Sequence, residues 1–200
     1  MRVTNTAKTG AAGAKQIVAS DWKKILQPED SYFELGGDMH GSSHTARVII
    51  HAWLTAQRHA PELTPELIAA GFLHDLARRN DRECSEHGKW AVESHLGKWR
   101  KNFEAIGVKN FELVKDMVTK HCQLPQPSDS LGVTLFRQAD NLDRVRMDDL
   151  DTAFLYDDDD EIITFAEDLV EAQTDRLDEL FKTIPHALKL GLPAKAGIEF

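Results

Sequence analysis

Two side chains of catalytic type, His74 and Asp75, stand side by side in an otherwise apolar segment of this sequence. Nine of the eleven residues in 67–77 are apolar or glycine. Thr64 as N-cap and Pro65 as the first helical residue predict a helix here, and a helix that is apolar on every face is buried. A buried carboxylate is costly without a partner, so Asp75 predicts a cation, a hydrogen-bond network or a metal ion beside it.

Histidine and aspartate side chains on two other predicted helices can complete a site around this pair. His44 stands near the start of the preceding helix, and Asp140 stands in a later helix with Val133 and Phe136 on its own side. These residue types supply the nitrogen and oxygen ligands that are usual in catalytic transition-metal sites. We predict one bound divalent ion (Mn, Fe, Co, Ni, Mg or Zn), with positions left for water and substrate. A buried hydrogen-bond network without metal is the competing interpretation of the four residues, which are His44, His74, Asp75 and Asp140.

The elements that must position these residues are all predicted to be helices, because no alternating or β-branched run is long enough to indicate a sheet. Ser42 or Ser43 is the predicted cap of the helix that carries His44, and Asn110 is the predicted cap of a later one. Apolar residues repeat with a helical period over 162–184, which predicts one long final helix. The predicted helices span 14–27, 43–59, 65–79, 85–103, 111–122, a segment that begins at 130, and 162–184.

Composition limits the classes of protein to which this chain can belong. With 200 residues, 42% of them hydrophobic, the chain suits one domain of good size. The net charge of −9 argues against binding of long nucleic acid. No run approaches the ~18 apolar residues of a membrane span, and the N-terminal residues lack the apolar region of a secretory signal. Cys84 and Cys122 are predicted to be reduced thiols in a cytoplasmic protein.

Three segments together resemble the signature of the HD-domain superfamily of metal-dependent phosphohydrolases, which is a histidine, then a His-Asp pair, then a distant aspartate. The resemblance implies an all-α helical bundle with the pair on a central buried helix, and hydrolysis of phosphate esters, often in nucleotides, with a bound divalent metal. It divides the chain into an N-terminal helix and loop (1–38), the metal-binding core (39–150) and a C-terminal helical extension of the same domain (151–200). The segments are His44-Thr-Ala-Arg-Val, Phe72-Leu-His-Asp-Leu-Ala-Arg and Ala139-Asp-Asn-Leu-Asp-Arg.

Some members of this superfamily bind a second metal through two further histidines between the pair and the last aspartate. His87 and His121 stand there in this chain, and the resemblance assigns them to a second metal or to the substrate. From the residues alone, a histidine on an apolar helix face, such as His121, is more often a hydrogen-bonded core residue.

Arginines are the predicted phosphate ligands, because a guanidinium group matches two phosphate oxygens. Arg78 and Arg82 follow the His-Asp pair closely, and Arg144 lies one turn after Asp140. Surface solvation or an internal salt bridge is the alternative for each of them.

Asp143 is a second carboxylate of the late motif, predicted to lie on the same helical side as Asp140. We predict that Asp143 acts with Asp75 in catalysis by orienting a water molecule or a ligand. The alternative is a cap or an ion pair with Arg47 or Arg144.

The sequence therefore predicts a metal-dependent hydrolase for a phosphomonoester or phosphoanhydride in a small soluble metabolite, with nucleotides first among the candidates. A di-iron oxygenase on the same scaffold is one alternative, and it needs His87 and His121 as additional iron ligands. A non-catalytic HD module that binds a nucleotide or a partner protein is the other, and it needs no stoichiometric metal. An exposed apolar face on the final helix would mark the interface of a homodimer.

Overall fold

The computed structural model describes residues 19–35, 39–82, 84–157 and 159–185. Within these residues the secondary structure is helical and contains no strand, which confirms the predicted all-α fold class. The part of the predicted first helix before residue 19 lies outside the described residues. None of the helices in the described part combines the length and the apolar character that crossing a bilayer requires. The α-helices are α1 (Trp22–Ile25), α2 (Ser42–His59), α3 (Thr64–Leu73), α4 (His87–Ile106), α5 (Phe111–Lys120), α6 (Leu131–Leu142), α7 (Asp160–Glu171) and α8 (Leu177–Thr183).

Helices α2 and α3 form the centre of the bundle. Every residue of α3 is buried, and burial continues through the following turn to Ala77, as predicted for the segment 67–77. α2 packs along α3 and α6, while α3 also contacts α4 and α5. Gly71 permits the close approach of α3 to α2, because a Cβ at this position would lie 3.3 Å from Ile49 Cα. The helices that carry the predicted ligands are thereby held side by side.

The helix that leads to the His-Asp pair is shorter than predicted. α3 begins at Thr64, which is its first residue rather than its N-cap, and ends at Leu73, so His74 and Asp75 lie in the turn that follows. In a continuing α-helix the Gly71 carbonyl would accept the Asp75 N–H. Instead it accepts the Nδ1–H of His74 at 2.8 Å. The His74 imidazole thus bonds a carbonyl that would otherwise accept a hydrogen bond within the helix. This bond also fixes the orientation of the His74 ring.

The predicted cap of α2 is wrong, and the predicted cap of α5 is confirmed. Gly41, rather than Ser42 or Ser43, is the N-cap of α2. Glycine has no side chain that could accept a hydrogen bond from the start of the helix. The carboxylate of Asp30 accepts the Ser42 N–H at 3.0 Å, so an acid from a preceding segment satisfies the helix start. The side chain of Asn110 accepts a backbone N–H in the first turn of α5, as predicted.

The predicted long final helix is two helices. α7 ends at Glu171 and α8 begins at Leu177, and between them Gln173 has a φ of 47°, which an α-helix does not allow. The Gln27 side chain holds this connection, since it donates to the Asp175 carbonyl at 2.7 Å and accepts the Leu177 N–H at 3.0 Å. α8 then packs on α1 and α2, and α7 packs on α2. The core-facing apolar residues of α7 and α8 are buried within the chain, so the exposed apolar face that would have marked a homodimer interface is not found on these two helices.

Candidate metal centre

The four predicted metal ligands converge from the ends of three helices. His44 is in the first turn of α2, His74 and Asp75 follow α3, and Asp140 lies near the end of α6. His44 Nε2 lies 3.1 Å from His74 Nε2. The two nitrogens lie 3.5 and 3.6 Å from Asp75 Oδ2, and both lie 3.6 Å from Asp140 Oδ1. Donor atoms bound to one ion at about 2.0–2.3 Å lie about 3–4 Å apart, so these four atoms fit around a divalent cation.

These four residues form the first cluster. In both of its histidines, the Nδ1 nitrogen donates a hydrogen bond to an acceptor outside the site. His44 Nδ1 donates to Asp143 Oδ2 at 2.7 Å, and His74 Nδ1 donates to the Gly71 carbonyl at 2.8 Å. Each Nε2 atom therefore carries either a lone pair or an additional proton. Two lone pairs at this separation repel each other unless a cation lies between them. Hydrogen bonds from Nδ1 that direct Nε2 inwards are also the usual arrangement around metal-bound histidines.

A second cluster of the same kind lies beside the first. His87, at the start of α4, and His121, directly after α5, place their Nε2 atoms 2.8 Å apart. Their Nδ1 atoms donate to the carbonyls of Cys84 at 2.6 Å and Val118 at 2.7 Å. Asp75 Oδ1 lies 3.1 Å from His87 Nε2 and has no hydrogen-bond partner among the described residues. Asp75 thus offers one oxygen to each cluster, and the residues fit two cations that share this carboxylate.

The second cluster depends on a glycine at the contact between α4 and α5. A Cβ on Gly88 would lie 1.9 Å from the Val118 carbonyl oxygen and 3.3 Å from His121 Cε1. No side chain fits in this space, because atoms that are not bonded cannot approach so closely. Glycine therefore lets the start of α4 lie against the end of α5, which brings His87 to His121.

In each cluster one imidazole is the stronger base. Burial alone would lower the pKa of His44, but hydrogen bonds to Asp143 and Asp75 raise it to about 8, whereas burial lowers the pKa of His74. Burial likewise opposes protonation of His87, but Asp75 raises its pKa, while burial lowers the pKa of its partner His121 to about 3. His44 and His87 are thus the rings whose Nε2 more readily holds a proton when no metal is bound. A metal ion must displace that proton.

Asp143 lies behind His44 and acts on it from there. It is completely buried at the start of the 3-10 helix that follows α6 (Asp143–Met147), and its carboxylate accepts hydrogen bonds from His44, Arg47 and Arg146. Burial alone would raise the pKa of Asp143, but His44 and Arg47 hold it well below its usual value. The ion pair with Arg47 that was considered from the sequence is present, and the hydrogen bond from His44 fixes the orientation of a predicted metal ligand, while the catalytic role of Asp143 stays a prediction. The ion pair between Asp143 and Arg144 does not form: Arg144 pairs with Asp149, and Arg146 pairs with Asp143.

His40 belongs to this centre and was not among the predicted ligands. His40 Nδ1 lies 2.9 Å from Asp75 Oδ2, and its ring meets that of His44 edge-on with centroids 5.5 Å apart. Ligand atoms of these three residues all lie within 4.8 Å of one another. His40 can thus hold Asp75 in place or add a nitrogen ligand. It precedes α2 in an irregular segment, where no helical period indicates the direction of a side chain.

A cavity of about 660 Å³ opens onto both clusters. Of the predicted phosphate ligands, Arg78 and Arg144 line this cavity, whereas Arg82 does not. Arg78 Nη1 lies 3.7 Å from Asp75 Oδ1 and 3.3 Å from His87 Nε2, so its guanidinium group reaches the second cluster. The exposed Arg82 contributes only its backbone carbonyl, which accepts from Arg78 Nη2 at 3.0 Å. Arg144 pairs with Asp149, so Arg78 is the predicted arginine whose guanidinium group lies beside the centre.

Comparison of the chain with known proteins gives no match, either to a protein-family model, to a curated protein or to a solved structure. A functional interpretation must therefore come from the chemistry of the centre. Its paired imidazoles and shared carboxylate can bind cations, and the guanidinium group of Arg78 beside them can bind an anion.

Proposed function

We propose that this chain is a metal-dependent phosphohydrolase with an HD-domain fold, and that its substrate is a small phosphorylated metabolite, with nucleotides first among the candidates. The observation that carries the proposal is the pair of imidazole clusters that share Asp75 and open into a cavity with Arg78 in its wall. Divalent cations and a guanidinium group are the positive charges with which enzymes stabilise a phosphoryl group in transfer.

A catalytic role for the centre is favoured over a structural one. Structural metal sites are closed by protein ligands, whereas catalytic sites keep a position open for water or substrate. The side chain of Asp140 is 27% exposed, while that of Asp75 is 2% exposed, so the first cluster is open on one side. The cavity on that side is within the size range of pockets for small molecules and cofactors, which is about 300–1,000 Å³.

The residues of the centre have separable roles in this reaction. A bound divalent ion would polarise a phosphoryl oxygen and lower the pKa of a bound water. Asp75 links the two clusters through its two oxygens, and Asp143 keeps His44 Nε2 directed at the site by accepting from Nδ1. Arg78 offers N–H groups to phosphate oxygens, and its Nε stays bonded to the Asn80 carbonyl at 3.1 Å, which limits its movement.

The direct test is release of inorganic phosphate from a panel of nucleotides and sugar phosphates. Manganese, cobalt, nickel and magnesium are added separately to metal-free protein, because the mixed nitrogen and oxygen donors do not select sharply among them. At least one metal is expected to support turnover, and the chelated protein is the control. If protein with stoichiometric bound metal released no phosphate from any member of the panel, the proposal would be wrong.

Replacement of Arg78 by alanine is expected to weaken substrate binding more than it slows the chemical step. A hydrogen bond to a charged group is worth about 1.5–3 kcal/mol, so KM should rise by roughly 10- to 100-fold. Steady-state kinetics of phosphate release measure this. Arg82→Ala is the matched control, since its side chain lies outside the cavity, and its KM should stay unchanged. Equal effects of the two substitutions would contradict a phosphate contact at Arg78.

Metal uptake is expected to release protons at neutral pH and to strengthen as the pH rises to about 8. Burial opposes protonation of His44, but Asp143 and Asp75 raise its pKa to about 8, so below that pH an incoming ion must displace a proton from His44. Above it the nitrogen is already free, and the affinity should level off. Metal titrations at about pH 6.5, 7.5 and 8.5 in weakly buffered solution with an indicator dye measure both effects. An affinity independent of pH would count against His44 as a ligand.

A di-iron oxygenase is the second candidate, because the second cluster supplies the additional ligands that a di-iron site needs. His87 and His121 lie beside Asp75, and the shared carboxylate suits two irons as well as two other divalent ions. Iron-loaded protein that consumed oxygen with an organic substrate, and released no phosphate, would favour the oxygenase. A non-catalytic module is separated from both by elemental analysis, since it should purify without stoichiometric metal.

A further inference from the structure

Cys122 places its thiol beside the second imidazole cluster. Ligand atoms of Cys122, His87 and His121 all lie within 4.8 Å of one another. Cys122 directly follows His121, and its Sγ–H donates to the carbonyl of Ser85, two residues before His87, at 3.3 Å. The thiol therefore lies between the end of α5 and the start of α4, in the wall of the cavity.

Buried acceptors point into the same space. The Nε2 atoms of His87 and His121 lie 2.8 Å apart, and the Nδ1 atoms of both rings already donate to backbone carbonyls. Asp75 Oδ1 lies 3.1 Å from His87 Nε2 and finds no hydrogen-bond donor in the described part of the chain, although the side chain is only 2% exposed. A buried carboxylate oxygen without a donor is costly. A cation at this position would satisfy all three atoms.

We propose that this second cluster is a thiolate zinc site, in which Cys122 joins His87, His121 and the shared Asp75 as ligands. The inference rests on the proposed function, since it deepens the metal chemistry of the same centre. Thiolate and imidazole ligands suit zinc, whereas the cluster of two imidazoles and two carboxylates also admits manganese, iron or magnesium. The centre therefore holds zinc in one cluster and a harder cation in the other.

Charge balance gives the thiolate a reason to bind. Two divalent cations would have two carboxylate ligands in the clusters, Asp75 and Asp140, and the guanidinium group of Arg78 lies 3.3 Å from His87 Nε2. A third negative charge beside His87 offsets part of this excess of positive charge. When zinc binds, the thiol loses its proton to solvent, its hydrogen bond to the Ser85 carbonyl breaks, and a zinc–sulfur bond forms.

Cobalt(II) reports on this site directly, because it replaces zinc and gives a sulfur-to-cobalt charge-transfer band in the near ultraviolet only when a thiolate is bound. Metal-free full-length protein is titrated with two equivalents of cobalt. The band is expected in the unsubstituted protein and in Cys84→Ser, and it should be absent in Cys122→Ser. Cys84 is the matched control, since it lines the same cavity and its thiol also lies near His87, but only the Cys122 thiol groups with His87 and His121 as ligand atoms within 4.8 Å of one another.

Zinc titration of the same proteins gives a second measurement. Loss of an outer partner of a ligand weakens metal binding by about 10–100-fold, so loss of the thiolate itself should weaken the second zinc by more than ~10-fold. Circular dichroism of Cys122→Ser confirms folding. A band that persists in Cys122→Ser, or no band in the unsubstituted protein with two cobalt ions bound, overturns the inference.

The outcomes also separate this inference from the proposed function. Phosphate release without a sulfur band overturns the thiolate site and leaves the phosphohydrolase in place. A sulfur band without phosphate release supports the thiolate site and removes the phosphohydrolase.

Discussion

Replacement of Asp75 by asparagine is expected to abolish stoichiometric metal binding at both clusters. Asp75 Oδ2 faces His44 and His74, and Oδ1 faces His87, so one substitution removes negative charge from both positions. Phosphate release should fall by about 10³-fold or more, because a single electrostatic contact to a transition state is already worth about 10²–10³-fold. Asparagine preserves the shape of the side chain, so the helical circular dichroism spectrum should be unchanged.

Elemental analysis of the purified variant, followed by the phosphate assay, measures both parts of this result. Asp81→Asn is the control, since its half-exposed carboxylate also lies in the cavity wall but lies 3.9 Å from His40 Nε2 rather than beside the paired imidazoles of either cluster. That variant should keep its metal. A full complement of metal in Asp75→Asn would show that Asp75 is not the shared ligand.

Replacement of Asp143 by alanine should destabilise the fold more than any substitution at the protein surface. The substitution leaves the buried guanidinium group of Arg47 without its carboxylate and removes the hydrogen bond to His44 Nδ1. Breaking one side of a buried ion pair costs about 3–5 kcal/mol, and each kcal/mol lowers Tm by roughly 2–4 °C in a chain of this size. Metal affinity should also fall by about 10–100-fold, because the orientation of His44 is lost.

Thermal unfolding of the metal-free protein separates the two effects, because no ligand then contributes to stability. Asp149→Ala is the control, since its exposed ion pair with Arg144 should contribute at most about 1 kcal/mol. The double variant Arg47→Met/Asp143→Leu should recover part of the stability, because it removes the buried guanidinium group of Arg47 together with the carboxylate, although Arg146 still loses its ion pair with Asp143. If Asp143→Ala unfolded at the same temperature as Asp149→Ala, the buried pair would not contribute as inferred.

Local sequence signals predicted the parts of the fold that depend on neighbouring residues. The apolar segment 67–77 is buried as predicted, and Asn110 caps α5, because both features follow from residue types a few positions apart. The end of α3 was not predictable in the same way. The helix ends where the His74 ring donates a hydrogen bond to the Gly71 carbonyl. Helix propensities do not include this competition between a side chain and a backbone N–H for the same carbonyl.

Contacts between distant segments decided the other differences. The final apolar period is continuous in sequence, yet the chain turns at Gln173 because Gln27, which lies about 150 residues away, holds the backbone of the connection. His40 lies at the centre but stands in an irregular segment, where no helical period of apolar residues could predict its position. Arg78 and Arg82 both follow the His-Asp pair within a few residues, but of these two only Arg78 lines the cavity.

The sequence by itself determined the residue types of the centre and the helices that carry them, since His44, His74, Asp75 and Asp140 each stand in or beside a segment with a clear helical period. Only the tertiary structure decided how many clusters form. His87 and His121 meet because Gly88 lets α4 lie against the Val118 carbonyl of α5. Distances between helices result from the packing of whole surfaces, and no residue pattern encodes them to within about 1 Å. A displacement of that size decides whether two histidines can bind the same metal ion.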